Sequence, residues 1–240
     1  MPEHANAQLA LAAAIGEVTR ELRRTLPAPR TAPYFMLDSD LPYDPVVLDA
    51  LSSPGIFRKY ELVLLIGSGL GGTARWLSKR LGCRVLGIDS DASRARGANL
   101  LNGRARMSED VSFSAGRSGQ LPFRDRVFTH VWIIDPAPED RTTEALAEAF
   151  RVLRSGAHFA LQTAIEDEGT VSGIGERLAA AGFTDIATRT DTLLPRNQTT
   201  TMARARLRVA LAAVGGSAGL WRDDAISRPT PCAQIFARRA

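Results

Sequence analysis

From Glu61 onward, apolar and polar positions fall into two alternating rhythms. The run "LVLLI" at 62–66 is apolar throughout, as expected of a strand covered on both faces. In the next segment, "GTARWLSKRL", Ala74, Leu77 and Leu81 recur at helical spacing. The pattern then repeats. "CRVLGI", the weaker "VSFSA", "VFTHVWII", "AHFALQT", "TDIATRT" and "CAQIFAR" predict further strands. Between them, "DASRARGANLLN", "EDRTTEALAEAFRVLR", "TVSGIGERLAAAG" and "TTTMARARLRVALAAVGG" predict helices. Strands alternating with helices imply βαβ units, a parallel sheet and right-handed crossovers, so the chain predicts a doubly wound α/β domain.

The residues before Glu61 follow neither rhythm for long. "HANAQLALAAAIGEVTRELRRTL" predicts an amphipathic helix. No basic segment precedes its apolar part and polar residues interrupt it too often for a bilayer span. "PAPRTAPYFMLDSDLPYDP" is a long proline-rich loop carrying Tyr34, Phe35 and Tyr43. Loops of this length in compact domains are often lids or binding elements, so these aromatics are candidates for lining an acceptor pocket. Asp44-Pro45 predicts the start of a short helix over Val46–Leu51. The expected organisation is a helical cap with a lid loop over 1–58 and an α/β domain over 59–240.

Composition changes this picture little. In 240 residues, 45% are hydrophobic and 23% charged, enough for one domain with a substantial core. The net charge of +4 is slight and is spread as arginines over predicted helices. That pattern reads as solvated surface rather than a nucleic-acid face. Cys83 and Cys232 lie in apolar runs far apart and read as buried thiols, not as a disulfide or metal site. No Ser/His/Asp triad, metal-ligand spacing or Walker lysine is visible. His4, His130 and His158 stand alone in sequence, and His130 and His158 fall within predicted strands. A soluble chain in the cytoplasm, with no membrane partner, is the expectation.

The candidate chemistry begins at "GSGLGG", Gly67–Gly72, which follows a strand and opens a helix. Glycine admits backbone angles that other residues resist and lets a ligand approach the main chain. The helix behind it offers unpaired N–H groups and the positive end of a dipole. Asp89 ends the following strand, where its carboxylate could accept two hydrogen bonds from a ribose. The bland alternative is a tight turn without a ligand and an Asp that caps the next helix. A nicotinamide-dependent oxidoreductase would also use such a turn, but no Tyr/Lys or His catalytic arrangement accompanies it.

Taken in order, these and later segments resemble the class I S-adenosylmethionine-dependent methyltransferases that act on small molecules. "LLIGSGLGGTARWLSKRLGCRVLGIDSD" is similar to that family's first two motifs, and "GRSGQLPFRDRVFTHVWIID" to its "GDA-x-x-LPF" segment and fourth strand. "ALAEAFRVLRSGAHFALQT" is similar to the helix, "RVLKPGG" turn and fifth strand, and "LAAAGFTDI" to a late "L-x-x-AGF" element. The resemblance runs from about Glu61 to Thr190. It implies a seven-stranded Rossmann-like sheet whose last strand, Cys232–Arg238, is antiparallel, with S-adenosylmethionine at the carboxyl ends of the first strands. Gly67, Ser68, Gly69 and Gly71 would pass under its methionine part, Asp89 would hold the ribose, and Ser90 would lie beside the adenine. Arg117 and Ser118 occupy the place of the pair at the adenine edge.

The departures from the family pattern are as specific as the matches. Leu65 stands where an acid usually precedes the first glycine by two residues, and Arg117 replaces the Asp of "GDA". A guanidinium only donates hydrogen bonds and cannot accept one from an adenine amine. Phe128-Thr129 replaces the usual "F-D", and Arg154-Ser155-Gly156-Ala157 replaces "KPGG". Asp135, at the carboxyl end of the fourth strand in "WIIDPAPED", is the candidate general base, although Asp before Pro is also an ordinary turn starter. The leading expectation is therefore a methyltransferase acting on a small-molecule acceptor, as a single chain or in an assembly. The alternative is an inactive methyltransferase-like protein serving as partner or scaffold subunit of an active homologue.

Overall fold

A computed structural model of the protein describes residues 2–27, 29–52, 60–165, 168–213, 221 and 224–240. The expected boundary at 58/59 lies outside the described residues, as does the end of the last predicted helix beyond Ala213. Seven strands form one sheet in the order β3-β2-β1-β4-β5-β7-β6. They are β1 (Leu62–Ile66), β2 (Arg84–Asp89), β3 (Val111–Ala115), β4 (Phe128–Ile134), β5 (Leu153–Ala164), β6 (Phe183–Leu193) and β7 (Thr230–Arg239). The pairs β1–β2, β2–β3, β1–β4 and β4–β5 are parallel, whereas β7 runs antiparallel to both β5 and β6.

The apolar strands are apolar because both sheet faces are covered. Val63 and Leu65 of β1 join Val85, Trp132 and Ala160 in one core. Leu64 and Ile66 join Ile88, Val131, Ile133 and Leu161 in the other. Successive side chains of a strand point to opposite faces, so one run of apolar residues feeds two layers. The helices between the strands are α3 (Gly72–Leu81), α4 (Ala92–Arg104), α5 (Thr143–Val152) and α6 (Glu168–Ala180), with α7 (Gln198–Ala213) preceding β7.

Two boundaries differ from the sequence expectation. The helix expected over Glu139–Arg154 is a 3-10 turn, Pro138–Arg141, followed by α5. The break falls at Thr142, whose hydroxyl accepts the Ala145 N–H at 3.2 Å and caps α5. The segment from Leu153, expected as helix end and turn, is already the start of β5.

The N-terminal helix α1 (Pro2–Leu22) packs Leu11, Ile15, Val18 and Leu22 against Leu101 of α4 and Leu207 of α7, forming a third core. The expected short helix is a 3-10 turn over Pro45–Val47 running into α2 (Leu48–Leu51), with Asp44 Oδ1 accepting the Val46 N–H at 3.0 Å. Between α1 and α2 the loop is stitched across the top of the sheet. Arg75 of α3, fully buried, donates to Asp38 Oδ2 from Nε at 3.0 Å and from an Nη at 2.8 Å. The Gly72 N–H donates to the Asp38 carbonyl at 2.9 Å. Arg204 of α7 donates to the carbonyls of Met36 and Ser39, at 3.3 and 3.0 Å, and lies 4.2 Å from the centre of the Trp221 ring. Trp221 donates to the Leu37 carbonyl at 3.2 Å. The loop is therefore a fixed strap tied to the helix that opens the glycine turn.

Candidate active site

In this strand order the chain leaves β1 toward β2 and β3, then crosses to β4 on the other side of β1. The connections leaving the carboxyl ends of β1 and β4 thus run to opposite sides, and α/β sheets bind ligands at such a switch point. A cleft of about 1490 Å³ opens there. It brings together Gly67, Ser68, Asp89, Ser90, Arg117, Ser118 and Asp135, all expected as site residues.

The glycine turn forms one wall. Gly67, Gly69 and Gly71 have φ of 71°, 55° and 87°, in the left-handed region that glycine adopts without strain. At Gly71 there is also no room: a Cβ would stand 2.2 Å from the Phe113 ring and 2.9 Å from an Arg75 nitrogen. Gly69 and Gly71 shape the turn without lining the cleft. Ser68 lines it, is buried, and its hydroxyl has no hydrogen-bond partner among the described residues.

Asp89 is buried at the end of β2. Its Oδ2 accepts the Gly69 N–H at 2.8 Å and its Oδ1 accepts the Asp91 N–H at 2.9 Å. The cap of α4 is Asp91, whose Oδ1 accepts the Ser93 N–H at 2.8 Å. Asp89 therefore ties the glycine turn to the start of α4 and is not itself the helix cap. A carboxylate has about four lone-pair sites, so each oxygen retains one for a ligand hydroxyl. Burial pushes the Asp89 carboxyl above its ordinary value, partly offset by the two N–H donors.

Across the cleft, Ser90 and Arg117 are exposed, and Ser118 is buried. The Gln120 N–H donates to the Arg117 carbonyl at 3.1 Å, closing a small turn. Ser118 Oγ donates to the Glu139 carbonyl at 3.4 Å, and its hydroxyl favours the ionised form of the neighbouring Asp140 carboxyl. Asp135 is half-buried on the wall with φ of 52°, and its N–H donates to the Gln162 carbonyl at 2.9 Å. Asp tolerates this left-handed geometry, and strained backbone of this kind concentrates at functional sites. Leu65 is buried behind the turn, where it presents only alkyl surface to the cleft.

The loop aromatics are elsewhere. Tyr34 is buried with its hydroxyl donating to the Leu101 carbonyl at 2.6 Å, and Phe35 is buried in the core beneath α1. Tyr43 is buried, its hydroxyl accepting from Gln162 Nε2 at 2.9 Å. None of the three lines the cleft. As apolar bodies they anchor the strap into the core, where large rings gain most from burial.

Among the cleft residues that sequence reasoning did not single out are Asp40, Arg94, Asp140 and Trp221. Asp40 of the strap and Arg94 of α4 form an ion pair above Gly69, where a Cβ would lie 2.9 Å from Asp40 Oδ2. Burial lowers the pKa of Arg94. Each of these residues sits in a segment that reads as ordinary loop or solvated helix, and only the three-dimensional closure of the strap reveals their place.

Residues 63–156 match the profile of a family described as "Methyltransferase domain". The match covers less than half of the chain, from β1 into the start of β5, and over that stretch the chain is similar to that family. Among curated relatives, the sterol 24-C-methyltransferase of Kluyveromyces lactis is 29% identical over 105 residues, 43% of this chain and 28% of that protein. The chain spans less than half the length of such relatives. Among solved structures, the [4+2]-cyclase SpnF superposes with a TM-score of 0.62 at 19% identity, covering 80% of this chain and 79% of that one. A geranyl diphosphate methyltransferase in complex with S-adenosylmethionine superposes with a TM-score of 0.56 at 16% identity, covering 79% and 82%. These structural likenesses establish the methyltransferase fold, including its antiparallel last strand.

The cleft fits an S-adenosyl cofactor on its own chemistry. It offers a carboxylate with free lone pairs at the strand end, a turn whose Gly69 and Gly71 leave no room for a Cβ, and an orphaned serine hydroxyl. Its volume suits a ligand of nucleotide size with space for an acceptor beside it.

Proposed function

We propose that the protein is a methyltransferase that uses S-adenosylmethionine to methylate a small-molecule acceptor. The observation that carries this reading is the placement of Asp89. Its carboxylate is buried at the switch point, fixed by the Gly69 and Asp91 N–H groups, with one lone pair of each oxygen turned to spare. Asp89 accepts from the two ribose hydroxyls, Ser90 and Ser118 flank the adenine, and the Gly67–Ser68 backbone passes under the methionine part. Gly69 and Gly71 hold the turn in that shape. Bound in this cleft, the cofactor supplies the activated methyl group.

The chain's own contribution is alignment and proton handling. Methyl transfer gains chiefly from holding the acceptor in line, and a positioned base adds roughly a hundredfold or more where the acceptor must lose a proton. Asp135, at the mouth of β4 on the same wall, takes that proton. Trp221 and Leu41 line the cleft under the strap and form the apolar side on which an acceptor rests. The similarity to a sterol methyltransferase and a geranyl diphosphate methyltransferase supports an acceptor with apolar surface.

A second reading is favoured by Leu65 and Arg117. Both remove acids from the family pattern, and a fold of this type also serves a [4+2]-cyclase. On that reading the protein is a partner or scaffold subunit without transfer activity of its own. Incubation with S-adenosylmethionine and a panel of apolar hydroxyl, amine and carbon-acid acceptors, read as S-adenosylhomocysteine released, separates the two. Turnover that falls at least tenfold in Asp135→Asn supports the enzyme. Absence of turnover that is restored only with a co-purified homologue supports the partner.

A further inference from the structure

Asp140 is the buried carboxylate in the cleft that the proposed chemistry leaves unused. It lies on the 3-10 turn Pro138–Arg141 that replaces the expected helix start, and only 9% of it is exposed. Its Oδ2 is 3.4 Å from where a Cβ on Gly67 would be, so it faces the first glycine of the turn directly. The neutral Ser118 hydroxyl and the Ala137 main chain favour its ionised form, and burial opposes it more strongly. The charged groups acting on it are Glu139 and Asp89, both of its own sign, and it makes no ion pair among the described residues.

A buried carboxylate held by neutral donors and faced by other carboxylates is costly when ionised. A ligand that brings positive charge to this spot removes the cost, and is held more tightly for doing so. The S-adenosyl cofactor has such a group on the part that passes the glycine turn, the α-ammonium of its methionine. Leu65 leaves that turn without the acid that usually precedes it, and Asp140 returns a carboxylate to it from the 3-10 turn Pro138–Arg141.

We propose that Asp140 is a cofactor-binding residue that accepts a hydrogen bond from the α-ammonium of S-adenosylmethionine, standing in for the acid absent at position 65. This rests on the cofactor reading above and adds to it the group that recognises the amino-acid end. It also accounts for how a cleft with Leu65 at its back retains affinity.

The test is a calorimetric titration of the wild type and Asp140→Asn with three probes: S-adenosylmethionine, S-adenosylhomocysteine and 5′-methylthioadenosine. The first two carry the α-ammonium, and the third keeps the adenosine and lacks the amino-acid end. Asparagine preserves the size of the side chain without its charge. The expected result is a Kd raised roughly ten- to a hundredfold for both amino-acid-bearing probes, with 5′-methylthioadenosine unchanged. That unchanged binding also certifies that the variant's site is folded. Equal losses for all three probes, or no loss for any, would overturn the assignment. A loss confined to S-adenosylmethionine would place Asp140 against the sulfonium and also contradict it. Failure of the wild type to bind S-adenosylhomocysteine would instead remove the cofactor reading itself, and this inference with it.

Discussion

Asp89 and Asp140 both line the cleft, and the charge of Asp89 raises the cost of ionising Asp140. Burial is the larger cause for both, and it pushes both carboxyls above their ordinary range. A carboxyl whose folded pKa is raised contributes stability below its unfolded pKa and loses it as pH climbs through the folded value. In Asp140→Asn that loss is absent at one position. The ligand-free variant should therefore gain Tm relative to wild type as pH rises from about 4 to about 7, followed by differential scanning fluorimetry. A difference that stays flat across that range would show that Asp140 is solvated. Gly71 gives a steric counterpart. Alanine there meets both a φ of 87° and the Phe113 ring at 2.2 Å, so Gly71→Ala should cost about 2 kcal/mol or more in chemical denaturation. At this scale the glycine turn, Asp89 and the family resemblance drew attention to Gly67, Ser68, Asp89, Ser90, Arg117, Ser118 and Asp135, and all seven line one cleft. Asp140 escaped it. "PED" reads as the acidic first turn of a helix, and only the break at Thr142 turns that carboxylate inward.

The strap is the element on which the site's closure depends. Its hold is the Arg75–Asp38 pair, with side-chain exposures of 0% and 2%. Arg75 also donates to the Leu70 and Ala98 carbonyls and lies against the rings of Tyr34 and Phe113. Removing one partner of a buried pair strands the other charge, and such changes cost roughly 3–5 kcal/mol. Asp38→Ala should lower the denaturation midpoint accordingly, while Asp38→Leu with Arg75→Met should recover much of it. Glu21→Ala breaks the exposed pair of α1 with Arg206 and should leave the midpoint almost unmoved. An equal effect of Asp38→Ala and Glu21→Ala would contradict the strap's role. The sequence showed that this loop was long, aromatic and proline-rich. It did not show that the aromatics point into the core and Asp40 toward the cleft, because a loop has no periodicity from which to read a face.

For the whole molecule, period was sufficient for the parallel part of the sheet. Continuous apolar strands separated by amphipathic helices dictate a parallel sheet covered on both sides, and the observed order of strands follows that plan. The glycine turn then falls at the switch point by topology alone, and the acid ending β2 falls beside it. Antiparallel β7 came from the family resemblance, since a strand's direction leaves no mark in its own sequence. No helix among the described residues is long and apolar enough to cross a membrane. The acceptor of the proposed reaction is less legible still, because the strap, Trp221 and the loop after β4 come together only in the fold and form no contiguous motif.

The central claim is that the cleft still binds the S-adenosyl group despite Leu65 and Arg117, through Asp89. Calorimetric titration of the full chain with S-adenosylhomocysteine, beside Asp89→Ala and with NAD as the competing nucleotide, tests it most directly. The account predicts saturable micromolar binding by the wild type, no heat with NAD, and a loss of at least about a hundredfold in Asp89→Ala, the scale expected when both ribose hydrogen bonds to a charged acceptor go. Binding of equal strength in Asp89→Ala, or silence of the wild type toward S-adenosylhomocysteine, would contradict it.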